Sequence, residues 1–156
     1  MPYSGDEIMK HFPPGFTSKI EKDILQGQPG LPFSEQFKLV KTQADVTIKD
    51  KESREFEINY LNASFMVTGR FVEIVQSSLE ERGSSKAKAL VEELSVITHD
   101  RNQTINAMKE KVDKLMSGSG FEVLEVKEAM KKLVDKFESE ASIAKGQAMY
   151  FGVGTV

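Results

Sequence analysis

From Ser85 onward the apolar positions fall into two long rows at helical spacing. Ala87, Leu90, Leu94, Ile97, Arg101, Ile105, Met108, Val112 and Leu115 form the first, with one charged member. Val123, Val126, Met130, Leu133, Phe137, Ala141, Ala144 and Ala148 form the second. Steps of three and four residues mix in both rows, as they do along one face of an α-helix. The mean step of about 3.6 suits nearly straight helices better than a heptad supercoil. The rows predict helices over about 85–116 and 120–148, broken by Ser117-Gly118-Ser119-Gly120. Ser119 with Glu122 fits a capping box, in which hydroxyl and carboxylate satisfy free N–H groups at a helix start. So short a connection predicts an antiparallel hairpin with arms roughly 40–50 Å long.

The stretch before it has a different period. Ala44, Val46 and Ile48 alternate with Asp45, Thr47 and Lys49, and Phe56, Ile58 and Tyr60 alternate with Glu55, Glu57 and Asn59. Period two predicts half-buried strands, so a β-hairpin is expected over about 43–60, turning at Asp50–Arg54. Phe37 and Leu39 are candidates for a third strand. Two strands are marginal alone, so this unit must pack on the helices. From Asn62, a plausible N-cap, the positions Phe65, Phe71, Val72, Val75 and Leu79 share a helical face, predicting a third helix over about 62–82 that stops at Gly83. Gly69 inside it costs about 1 kcal/mol relative to Ala, which leaves a start after Gly69 as the alternative.

All five prolines lie in the first 32 residues. Residues 1–33 therefore read as a turn-rich N-terminal segment, with short helices begun by Ser4/Glu7 and Ser18/Glu21. Residues 34–156 read as a single helical domain. The expected class is mainly α (α+β): a long antiparallel helical hairpin plus a third helix, with a small N-terminal β-hairpin packed on it.

Composition narrows the function classes. The chain has 156 residues, 29% of them charged, a formal net charge of −3 and no cysteine. Its 21 basic residues comprise four Arg and 17 Lys. That balance argues against nucleic acid, whose ligands usually present a net basic, Arg-rich face. Absence of cysteine removes disulfides, thiolate nucleophiles and Cys-ligated zinc. No apolar run approaches the ~18 residues of a membrane span, and no signal-peptide pattern opens the chain. The expected location is cytoplasmic, or exported without a cleaved signal peptide.

The catalytic inventory is thin. His99-Asp100 has the form of a metal-binding pair, but that chemistry needs more ligands and the only other histidine is His11. A solvated histidine is the plainer reading. Gly152-Val153-Gly154 lacks the strand–turn–helix context and following Lys of a phosphate loop. Paired acids such as Glu80-Glu81 and Glu92-Glu93 fit helix surface. No enzyme, cofactor or metal is expected. Arg101 stands out as a charge on an apolar row. Either it snorkels to water, or it pairs with an acid, Asp135 or Glu138 by hairpin register or one on another subunit. The apolar tail Tyr150-Phe151 packs back on the domain or docks on a partner.

The leading expectation is a non-enzymatic interaction or assembly module that self-associates through its amphipathic helices, with homo-oligomers or possibly another protein as partner. Arg101, Leu94, Ile97, Ile105, Met130, Phe137, Tyr150 and Phe151 are the interaction candidates. The alternative is a carrier of an apolar ligand or lipid, held between helices by Phe65, Phe71, Met108, Met130 and Phe137.

Overall fold

A computed structural model describes residues 30–47, 49–136 and 141–154, and all the regular structure among them is helical. Six helices follow in order: α1 (Phe33–Thr47), α2 (Lys51–Leu79), α3 (Ser85–His99), α4 (Ile105–Met116), α5 (Phe121–Lys136) and α6 (Ala141–Tyr150). The short helices expected before Gly30 lie outside the described residues, as does Phe137.

The mainly helical class stands, but the β-hairpin expected over 43–60 does not: α1 and α2 occupy its described residues. The alternation there was too short to decide the period. Phe33, Gln36, Val40 and Ala44 recur every three or four residues and are all buried, whereas Val46 is 79% exposed. Ala44 and Val46 would share a face in a strand; here one points in and the other out. The supposed turn Asp50–Arg54 is the first turn of α2, closed by the Arg54 N–H donating to the Asp50 carbonyl at 3.1 Å.

With that stretch helical, the predicted helix over 62–82 becomes the second half of α2, 29 residues and ~43 Å long. Asn62 is therefore an interior residue and not a cap. The chain leaves the helix at Leu79, whose carbonyl accepts from the Gly83 N–H at 2.8 Å. Ser84 then caps α3, its Oγ accepting from the Ala87 N–H at 3.1 Å. The most extensive helix–helix contact is α2 with α3. The two run antiparallel, so that Glu73 of α2 meets His99 at the far end of α3.

The two long helices expected over 85–116 and 120–148 are each divided. The first breaks at Asp100–Thr104. Asp100 accepts from the Asn102 N–H at 2.9 Å, and Thr104 caps α4 by accepting from the Ala107 N–H at 3.0 Å. Asp, Asn and Thr carry their own hydrogen-bonding groups and compete with the helix for its backbone. A continuous apolar row does not outweigh three such residues in five positions. In the second, α5 ends at Lys136 and α6 begins at Ala141.

The divided helices build a bundle instead of the single hairpin that the turn predicted: α5 packs on α2 and α3, α6 on α5 and α2, and α4 on α3. The main core draws on α2 (Phe71, Val72, Ile74, Val75), α3 (Leu90, Val91, Leu94), α4 (Val112, Met116), α5 (Val126, Met130, Leu133) and the tail (Phe151, Val153). A second, separate cluster consists of Phe33 and Val40 of α1, with Phe37 and Phe65 packed against it.

Candidate functional site

The break between α3 and α4 gathers the polar residues singled out in the sequence. His99 ends α3. Its Nδ1 lies 2.7 Å from the Ser95 carbonyl, one turn back, and its Nε2 lies 2.7 Å from Glu73 Oε1 on α2. Both ring nitrogens face acceptors, so neither is free to act as a base toward a substrate. The ring also lies against the backbone of Gly69: a Cβ built there would come within 3.0 Å of its Cε1 and Nε2. This accounts for a glycine in the interior of α2. His99 is thus a strut between α2 and α3 and not simply a solvated side chain. No cluster of metal-ligating side chains occurs among the described residues.

Arg101, two residues on, does not meet Asp135 as hairpin register predicted, and Glu138 lies outside the described residues. Its Nη2 donates to Asn62 Oδ1 on α2. Its guanidinium carbon stands 5.6 Å from the ring centroid of Phe33 and 5.0 Å from that of Phe65. Those two rings stack on each other at 4.2 Å. The planar, weakly hydrated guanidinium suits such aromatic faces. The correction follows from the break at Asp100–Thr104, which moves Arg101 off the α3 row and turns it toward α1. The same loop caps α1: the Phe33 N–H donates to the Gln103 carbonyl at 3.2 Å and the Ser34 N–H to the Arg101 carbonyl at 2.9 Å. Buried Gln103 holds the loop, with Nε2 donating to the Ile97 and Asp100 carbonyls and Oε1 accepting from Lys111 Nζ.

The remaining interaction candidates divide by burial. Leu94, Met130 and Phe151 are core residues of the chain itself. Ile97 and Tyr150 are partly buried against that core, and Ile105 is exposed. The tail folds back: Phe151 stacks on Phe71, 6.0 Å between centroids. Gly152 at φ +85° closes α6, with the Gly152 N–H donating to the Met149 carbonyl and the Val153 N–H to the Ala148 carbonyl. This left-handed position with two reversed bonds is a Schellman cap, which a residue with a Cβ would strain. Lys109 secures it from α4, donating to the Tyr150 carbonyl at 2.6 Å and lying 4.4 Å from the ring centroid. Burial, with a smaller effect from the Asp113 charge, pushes the Tyr150 phenol up to about 12.

Two surface features were not legible as sites. One is a groove of about 980 Å³ between the α2–α3 turn and α5, bordered by Arg82, Glu125, Glu128, Lys132 and Lys136. The Ser84 N–H donates to Glu125 Oε2 across it at 2.8 Å, which holds that carboxyl below its ordinary range. Of the described residues expected to hold an apolar ligand, Phe65, Phe71, Met108 and Met130, none lines this groove. The other is the start of α5, where Phe121 is 89% exposed and Leu124, one turn on, 58% exposed. Both lie off the predicted apolar row. No known protein-family profile, no curated protein and no solved structure matches the chain.

Proposed function

We propose that the protein is a non-catalytic helical interaction module that associates with a second copy of itself through the start of α5. The observation that carries this reading is the exposed pair Phe121 and Leu124. Exposed apolar side chains are ordinary when scattered. Here a nearly bare phenylalanine sits three residues from an exposed leucine on one helix face, beside the Ser117–Gly120 turn. A two-fold axis near these residues would place Phe121 of each copy against Leu124 of the other, the self-complementary arrangement of a closed dimer. The anchors are few, so the association is weak.

Packing within the chain favours this reading over the carrier. Phe65 is spent on Phe33 and Phe71 on Phe151, and Met130 is fully buried. The surface groove is bordered by Arg82, Glu125, Glu128, Lys132 and Lys136, and Phe65, Phe71, Met108 and Met130 are not among its described lining. The catalytic alternative on His99 is weakened by the engagement of both its ring nitrogens.

Sedimentation velocity over ~10–500 μM tests it. A reversible monomer–dimer equilibrium is expected, shifted at least tenfold toward monomer by Phe121→Ser with Leu124→Ser, with helicity retained. A monomer across the whole range, or a dimer insensitive to both substitutions, overturns the proposal.

A further inference from the structure

We infer that α1 is a strap that undocks from α2 as a unit while the main bundle stays folded, and that Arg101 is the lock that sets how often it does so. The first observation is the division of the apolar interior. Among the described residues, Phe33 and Val40 belong to a cluster of their own, closed by Phe37 and Phe65, and apart from the main core. The second is connectivity. The one extensive helix–helix contact of α1 among the described elements is with α2. They form an antiparallel pair in which Phe33, at the start of α1, reaches Phe65 while Thr47 and Lys51 sit at the shared end.

The third observation is the nature of the remaining ties. At its open end α1 is held by two backbone bonds to the 101–103 carbonyls and by the guanidinium over Phe33. All of these come from one loop, and Arg101 supplies one of the carbonyls as well as the guanidinium. A segment whose described helix packing lies along one neighbouring helix, and whose open end is held by polar contacts from one loop, opens at lower free energy than the structure as a whole. Undocking uncovers the Phe65 face of α2 and, among the described residues, leaves the main core intact. The inference concerns α1 and stands apart from the surface proposed on α5.

The chain lacks cysteine, so single thiols can report the opening. Val40 and Val91 are both fully buried, one on the inner face of the strap and one in the main core. In the full chain under native conditions, Val40→Cys is expected to react with a thiol reagent at least tenfold faster than Val91→Cys. Adding Arg101→Ala should accelerate Cys labelling at position 40 about tenfold further and change that at position 91 less than twofold, as loss of a desolvated cation–aromatic contact implies. Equal labelling at the two positions, or proportional acceleration of both, overturns the inference. If Arg101→Ala does not fold, the comparison of positions 40 and 91 with Arg101 intact decides, and Arg101→Lys, which keeps the charge and loses the planar stack, supplies the second variant.

Discussion

The two apolar clusters of this chain are built on opposite principles. In the main core five helices and the tail cover one another, so each buried side chain has neighbours from several elements. In the α1 cluster two helices meet along one face, and the ends are finished by polar contacts from a third element, the 100–104 loop. Apolar area accumulates with the number of layers. At the open end of that helix, the described contacts with the loop are one guanidinium and two backbone hydrogen bonds.

The largest effect that sharpens the contrast is a matched truncation. Val91→Ala removes a fully buried side chain from the main core and should cost roughly 2–3 kcal/mol in chemical denaturation. Val40→Ala, equally buried in the small cluster, should cost about 1 kcal/mol, near the centre of point-mutant effects. A reversal of that order would break the comparison.

The same contrast governs how much could be read from the sequence. The rows from Ala87 to Leu94 and from Val123 to Leu133 were legible because a many-sided core demands sustained periodicity. They are buried as predicted. The stretch around α1 was not, because a helix with one narrow contact face shows few apolar positions: Gln36 fills one of them, and Val46 is apolar but exposed. The break at Asp100–Thr104 lay in plain view as Asp-Arg-Asn-Gln-Thr, but a row counted only by apolar spacing runs straight through it. Arg101 stands out in the sequence as a charge on an apolar row, but the pairing with Asp135, one of its alternatives, is replaced by Asn62, since register counted along an unbroken helix fails once the helix turns. Phe121 and Leu124 carry no periodic signal, because residues outside the core row obey none.

A smaller effect tests the strut between α2 and the end of α3. Gly69→Ala gains ~1 kcal/mol of helix propensity but sets a methyl group within 3.0 Å of the His99 ring. The ring is held at both nitrogens, so it yields poorly, and Gly69→Ala alone should be neutral or destabilising. In a His99→Ala background the space is open and the propensity gain should emerge, making Gly69→Ala stabilising by about 0.5–1 kcal/mol. Additive substitutions in this double-mutant cycle would show that the contact does not constrain the helix, and Gly69 would lose its explanation.

The smallest effect lies at the edge of the main bundle and depends on pH. The Tyr150 hydroxyl is buried and has no hydrogen-bond partner among the described residues, and its phenol is raised to about 12, first by burial and then by Asp113. In the unfolded chain the ordinary value is about 10. The neutral phenol is therefore favoured by the folded state. Its contribution is fully present below pH ~10 and is lost as pH climbs from ~10 through ~12, because the unfolded chain releases the proton first. At neutral pH, Tyr150→Phe should change stability by less than ~0.5 kcal/mol, since no hydrogen bond is broken. Between pH 10 and 12 the wild-type protein should lose stability faster than the variant. Tyr3 and Tyr60 are common to both proteins, so the difference between the denaturation midpoints of wild type and variant isolates Tyr150. Parallel curves across that range would mean the hydroxyl reaches water in solution. The C-terminal cap would then be a looser edge of the bundle, closer in kind to the α1 cluster than to the core that it joins.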